Sequence, residues 1–150
     1  MTSEILVAFL IVAVCVVIHT AGILAFAEWL INWRFTKRFV ASQPRMTHSG
    51  FLLLAVFAVI IFLHLIEATL WAGFYYMKGL FTEFETALYF SLTCYTTIGF
   101  GDVVLPQKWR LLAPLEGISG VLLCGVSTAF VFAVINTLFQ MRIKRASESN

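Results

Sequence analysis

Three long stretches of this sequence are apolar and almost free of charge, and they constrain the fold more than any other feature. Residues 5–27 contain no Asp, Glu, Lys or Arg. Residues 50–77 are interrupted by the ionisable pair His64 and Glu67, and residues 111–141 are interrupted by Glu116. A bilayer span needs about 20 predominantly apolar residues, so we expect each stretch to cross a membrane as a helix.

The composition excludes most classes of soluble protein. Of the 150 residues, 61% are hydrophobic and 12% are charged, whereas a soluble domain is about 25% charged. The net charge of +2 is small and the acidic residues are spread along the chain, so we expect no nucleic-acid partner. The sequence contains no recognisable constellation of catalytic residues, so we expect no enzyme activity and assign the function to the membrane segments.

A cleavable signal peptide is the alternative to a first span. Ala25, Phe26 and Ala27 resemble a small-residue cleavage site. However, Glu4 and no Lys or Arg precede the apolar run, which is longer than the roughly 7–15 residues of a signal core. We therefore predict a transmembrane helix over residues 1–31.

A basic and aromatic segment joins the first two spans. Residues 32–49 carry four Lys or Arg residues interleaved with Trp33, Phe35 and Phe39, a pattern typical of a helix that lies in the headgroup layer. We predict a cytoplasmic amphipathic linker, with a plain loop as the alternative. The residues expected to contact anionic membrane lipids are Arg34, Lys37 and Arg38.

The distribution of Lys and Arg predicts the orientation in the membrane. Seven of these residues lie in residues 32–49 and in the tail of residues 142–150, whereas three lie in residues 78–110. Because positive residues concentrate on the cytoplasmic side, we expect the C-terminus in the cytoplasm and the N-terminus outside. The predicted location is the plasma or inner membrane of the cell, which the chain crosses several times.

Between the second and third spans, residues 86–101 are uncharged but too short to cross the bilayer comfortably. Thr82 and Glu85 form a Thr-x-x-Glu capping box, which predicts a short re-entrant helix over residues 83–96. Gly99 and Gly101 then permit backbone conformations that other residues resist, so successive carbonyl groups can face one side. Irregular backbone at membrane depth needs surrounding protein or water, and a strand that lines a pore meets this need.

The motif Thr97-Ile98-Gly99-Phe100-Gly101 resembles the selectivity filter of tetrameric potassium channels of the two-span pore type. The resemblance implies an all-α membrane protein with three transmembrane helices, a re-entrant pore helix and a filter loop, assembled as a homotetramer. The first of the three helices is additional to the family's pore. The pore module of residues 50–141 then comprises an outer helix over 50–77, a pore helix over 83–96, a filter over 97–101 and an inner helix over 111–141.

The resemblance implies passive conduction of K⁺ through rings of backbone carbonyl groups from four chains. The K⁺ ions would be bound at Thr97, Ile98, Gly99 and Phe100, and beyond these ions no cofactor is expected. Gly101 completes the filter. Thr96 and Asp102 are expected to support it. The family's spacing of pore-lining residues gives the cavity and gate candidates Gly120, Cys124, Thr128, Phe132 and Asn136.

The sequence departs from this family in several places. Thr93 stands where some members have a Glu in the pore helix, so a carboxylate pair with Asp102 is absent. Tyr89 and Phe90 stand where many members have two tryptophans. The first span has no arginine repeat, so we do not expect it to sense voltage in the usual way.

Glu67 is an ionisable residue inside a span, which marks a functional candidate. His64 lies three residues earlier, on the same face of the helix. We predict that Glu67 supports the filter as a structural brace to the pore helix, with a proton sensor as the alternative. His19 and His64 form no recognisable haem-ligand pattern, so no haem is expected.

Two further functions are compatible with the sequence. A weakly selective monovalent cation channel is one alternative, because outer residues such as Asp102 and Val103 can alter a filter without changing its glycines. A non-conducting accessory or scaffold subunit of a larger membrane assembly is the other.

Overall fold

The computed structural model describes residues 2–32 and 46–148, which form four helices and, within these ranges, no strand. The helices are α1 (Thr2–Asn32), α2 (Met46–Met77), α3 (Phe84–Tyr95) and α4 (Leu112–Glu148). Three of them are long and apolar enough to cross a membrane, over Glu4–Asn32, Ser49–Met77 and Leu112–Lys144. The predicted fold class, three transmembrane helices with a short helix before the third, is confirmed.

The short helix α3 is held between α2 and α4, and α1 packs against α2 and α4 on another side. Aromatic side chains form the core beside α3: Trp71 and Tyr75 are fully buried, and the Tyr75 ring meets the Phe90 ring edge-on at 5.4 Å. Large apolar side chains elsewhere, such as Phe51 and Phe132, are exposed. Lipid or other protein chains must cover these faces, because water does not favour apolar patches of this extent.

The start of α3 differs from the predicted capping box. Glu83, and not Thr82, occupies the N-cap position with extended backbone (φ −123°, ψ 137°), and no side chain caps the helix. The Thr-x-x-Glu pairing is therefore wrong, because a start one residue later removes Thr82 from the cap position that the motif requires. At the other end, the Thr96 backbone N–H donates to the Leu92 carbonyl and closes the last turn.

The inner helix α4 continues seven residues beyond the predicted end at Met141, to Glu148. Apart from Ile143, residues 142–148 are charged or small, and Arg, Lys, Ala and Glu are good helix formers. Charge ends the apolar span here without ending the helix. The Arg142 guanidinium donates to the Ser49 hydroxyl over 3.3 Å, so the end of α4 lies beside the start of α2. The predicted interfacial linker, with Arg34, Lys37 and Arg38, lies outside the described residues.

Candidate functional site

The loop after α3 has an alternating backbone conformation. Thr97, Gly99 and Gly101 have positive φ values of 62°, 52° and 79°, whereas Ile98 and Phe100 between them do not. Thr97 is the one non-glycine residue with positive φ in the described part of the chain, and such residues concentrate at functional sites. Alternation of this kind allows successive carbonyl groups to face the same side of the strand, as the sequence analysis expected.

The loop is anchored to the end of α3 and is otherwise open. The Thr97 N–H donates to the Cys94 carbonyl over 2.9 Å, and the Gly99 N–H donates to the Thr93 carbonyl over 3.0 Å. Within the single chain all residues from 97 to 101 are exposed, and the exposed fraction is 58% for Ile98 and 68% for Phe100. An apolar cleft of about 360 Å³ separates the loop from the first turns of α4. Irregular backbone at membrane depth must border protein or water, so further molecules complete this site.

A hydrogen bond ties the outer end of the loop to α3. The Tyr89 hydroxyl donates to Asp102 Oδ2 over 2.8 Å, and this bond raises the pKa of Tyr89. Tyr89 therefore stays a neutral donor at physiological pH. The residue supplies a partner for Asp102 even though the sequence lacks a carboxylate at Thr93. Thr96 was also expected to support the loop, and its hydroxyl donates to the Leu92 carbonyl of α3 over 2.6 Å.

Glu116 lies where α2, α3 and α4 meet. Its buried carboxylate accepts hydrogen bonds from the Tyr75 hydroxyl of α2 over 2.7 Å and from the Ser91 hydroxyl of α3. One carboxylate on α4 therefore joins three helices. Truncating it would remove the partner of the buried Tyr75 hydroxyl, which is costly in a low-dielectric interior, whereas the Ser91 hydroxyl would keep the Ala68 carbonyl as an acceptor at 2.7 Å.

Glu67 stands at the centre of a second buried polar cluster. Glu67 Oε2 accepts a hydrogen bond from the Tyr95 hydroxyl at the end of α3, which is the contact that the predicted brace requires. Glu67 Oε1 lies 2.8 Å from His19 Nδ1 on α1, and the other nitrogen of His19 lies 2.9 Å from the Ser127 hydroxyl on α4. Sequence reasoning missed His19 and Ser127 as partners. The only signal was that each is a polar residue in an apolar span.

The cavity and gate candidates on α4 separate into two groups. Cys124, Thr128, Phe132 and Asn136 are exposed in the single chain, on a face that the described residues leave uncovered. Gly120 is buried: a Cβ atom there would lie 2.1 Å from the Tyr95 carbonyl oxygen. Gly120 therefore allows α4 to approach the end of α3 and is a packing residue, not a cavity-lining one.

Comparison with known proteins identifies the family. The sequence pattern of the family described as "Ion channel" matches residues 49–137, which is more than half of the chain. Over 64 residues the chain is 43% identical to the calcium-gated potassium channel TvoK of Thermoplasma volcanium, a match that covers 42% of this chain and 18% of that protein. No solved structure matches the chain significantly. The chain is a multi-pass membrane protein and belongs to the ion channel family.

Proposed function

We propose that the chain is the subunit of a potassium-selective channel that conducts K⁺ passively. The observation that carries this proposal is the loop of residues 97–101, whose φ values alternate in sign and whose residues are exposed in the single chain. The similarity to a protein named as a potassium channel supports the choice of ion. The proposed ion-binding groups are the carbonyl oxygens of residues 97–100 and the Thr97 hydroxyl.

Conduction through such a loop requires carbonyl oxygens to replace the water around the ion. Each site must bind K⁺ well enough to fill and weakly enough to release it to the next site. The C-terminal end of α3 adjoins the loop at Thr96 and Thr97. The negative end of its helix dipole favours a cation beside it. This chemistry needs no catalytic residue.

The geometry of one chain favours a homotetramer. A single strand cannot surround an ion, and the exposed loop faces an apolar cleft that includes Cys94, Gly117 and Val121. Copies of the same chain supply apolar surface for the cleft and further carbonyl groups for each ring. Four copies give the ring geometry of carbonyl filters.

The proposed orientation places the C-terminus in the cytoplasm and the N-terminus outside the plasma or inner membrane. The excess of Lys and Arg near the ends of α1 and α4 supports it. The Ser49–Arg142 contact supports placing the start of α2 and the end of α4 on the same side. Anionic lipid at Arg34, Lys37 and Arg38 remains part of this proposal.

Ion uptake into liposomes tests conduction. Vesicles that contain the purified protein and are loaded with K⁺ are expected to take up ⁸⁶Rb⁺, and external K⁺, but not Na⁺, is expected to compete. Uptake that Na⁺ suppresses equally would instead indicate the weakly selective cation channel. No uptake by protein that migrates as a folded oligomer would indicate a non-conducting subunit.

Replacing Tyr89 with Phe is expected to make the conducting state short-lived. The change removes the hydrogen bond that holds Asp102 beside α3. We expect shorter single-channel openings, because the outer end of the loop loses its tie to the helix. Tyr76→Phe is the matched control, because it removes a hydroxyl from another exposed tyrosine, near the C-terminal end of α2. Equal open times in the two variants would show that the Tyr89 bond does not stabilise the loop.

A further inference from the structure

Polar side chains from all four helices meet in one buried ring, which we call the interhelical cluster. It consists of His19 from α1, His64 and Glu67 from α2, Tyr95 from α3 and Ser127 from α4. His19 and Glu67 are fully buried, whereas the side chain of His64 is 22% exposed. Polar groups inside a span are costly unless they are paired, and they often mark functional sites.

Five contacts close the ring. His19 Nδ1 lies 2.8 Å from Glu67 Oε1, and Glu67 Oε2 contacts the Tyr95 hydroxyl. The Tyr95 hydroxyl lies 2.8 Å from His64 Nδ1. The Ser127 hydroxyl lies 3.2 Å from His64 Nε2 and 2.9 Å from His19 Nε2. Each residue therefore takes part in two of these five contacts, and His64 Nδ1 also lies 3.3 Å from Glu67 Oε2.

The ring lacks one hydrogen atom. Every contact needs one hydrogen, so the five contacts need five in all. Two neutral imidazoles, one phenol and one serine hydroxyl supply four, and an ionised carboxylate supplies none. With neutral imidazoles and an ionised carboxylate, one of the five contacts is therefore left without a hydrogen, and either a further proton or a metal cation among the facing lone pairs would resolve it.

Several donor atoms converge on one point of the ring. The donor atoms of His19, His64 and Glu67 lie within 4.8 Å of one another. His19 Nδ1 is 2.8 Å from one oxygen of Glu67, and His64 Nδ1 is 3.3 Å from the other. Ligand atoms around a tetrahedral Zn²⁺ ion with bonds of about 2.0–2.1 Å lie roughly 3.3 Å apart. Small rotations of the side chains therefore bring these donors to ligand positions, and Tyr95 lies beside them as a candidate fourth ligand.

Ser127 fits the second coordination shell of such an ion. If both Nδ1 atoms bind a metal, both Nε2 atoms carry hydrogen and need acceptors. The Ser127 oxygen lies within hydrogen-bond distance of both Nε2 atoms and can accept two hydrogen bonds. A metal ion therefore removes the shortage of hydrogen and leaves no nitrogen unpaired.

We propose that His19, His64 and Glu67 bind a divalent first-row transition-metal ion that fastens α1 to the pore helices. Two imidazole nitrogens and one carboxylate suit Zn²⁺ and its neighbours better than Mg²⁺ or Ca²⁺, which prefer oxygen ligands. The site assigns a role to α1, which a pore of two spans does not need, and it stands whether or not the channel selects K⁺.

Direct measurement of bound metal tests this site. The full-length chain, purified without an affinity tag and stripped with a chelator, is equilibrated with ⁶⁵Zn²⁺ in lipid nanodiscs. We expect one ion per chain, and with Co²⁺ we expect the visible absorption of a four-coordinate site. His19→Gln and His64→Gln are each expected to weaken Zn²⁺ binding more than 100-fold. Ser127→Ala is expected to weaken it about 10–100-fold, as other outer-shell changes do.

Two variants separate a metal ligand from a structural residue. His48→Gln is the matched control, because His48 lies about 24 Å along α2 from His64 at 1.5 Å per residue. His19→Cys should restore Zn²⁺ binding, since a thiolate is also a zinc ligand. Folding of each variant is checked by its elution volume and melting temperature. Wild-type protein that binds no more Zn²⁺ than His19→Gln would overturn the proposal.

Discussion

Replacing Gly99 with Ala is expected to abolish the potassium-selective current while the chain still folds in the membrane. Gly99 has a φ of +52°, and this left-handed region is about 1–2 kcal/mol less favourable for a residue with a Cβ atom. No atom of the same chain lies within 4 Å of the added Cβ, so the cost is in the backbone and not in packing. We expect the loop to relieve this backbone strain by rotating a peptide plane at residue 99, which would turn a carbonyl oxygen away from the ion path.

Gly79→Ala is the matched control for this variant. Gly79 has a φ of +66° and open space around its Cβ position, but it lies in the turn after α2. Both variants therefore carry the same backbone strain, and only one carries it in the proposed filter. We expect Gly79→Ala to conduct with unchanged selectivity in planar bilayers. A Gly99→Ala current with the wild-type reversal potential would show that this backbone does not bind the ion.

Gly120→Ala is expected to cause the largest loss of stability among single-methyl changes in the described helices. The new Cβ would lie 2.1 Å from the Tyr95 carbonyl oxygen and 3.0 Å from its carbonyl carbon. These are backbone atoms, so α4 must move about 1 Å or more to reach van der Waals distance. Overpacking of this kind costs about 1–3 kcal/mol. Because Tyr95 ends α3 two residues before the loop, the shift also reaches the ion path.

The matched control lies on the same helix. Gly125→Ala adds the same methyl group to α4, but no atom lies within 4 Å of its Cβ position. Alanine is also favoured over glycine in a helix by about 1 kcal/mol, so this variant should be as stable as the wild type or more stable. The melting temperatures of the purified proteins compare the two. Equal melting temperatures for Gly120→Ala and Gly125→Ala would show that α4 and α3 are not in close contact.

Local features of the sequence predict the spans and the loop. Length and apolar content alone identify α1, α2 and α4, because a bilayer imposes both on any helix that crosses it. The positive φ values at Gly99 and Gly101 follow from their lack of a Cβ atom. The left-handed conformation of Thr97 does not follow from its residue type, and the sequence did not predict it.

Contacts between distant residues could not be predicted in the same way. Glu67 meets His19 across 48 positions of sequence, and His19 meets Ser127 across 108. Helical periodicity tells which face a residue occupies but not which helix that face meets. The Tyr89–Asp102 bond was missed for a related reason, since a tyrosine in an apolar helix is indistinguishable from a core residue until its hydroxyl is placed.

The end of α4 shows a different limit. The apolar span was predicted to end at Met141, and the helix continues to Glu148 because charged residues can be good helix formers. Hydropathy therefore locates the membrane boundary and not the helix boundary. The matched segment of the Thermoplasma volcanium channel is 18% of that protein, so its calcium gating gives no expectation for this chain.

The most direct test of the account is the reversal potential of the purified protein in a planar bilayer with potassium chloride on one side and mostly sodium chloride on the other. A potassium-selective filter predicts a reversal potential that follows the K⁺ ratio by about 59 mV for each tenfold change, the value for one charge. A reversal potential that stays near zero as Na⁺ replaces K⁺ would contradict the central claim.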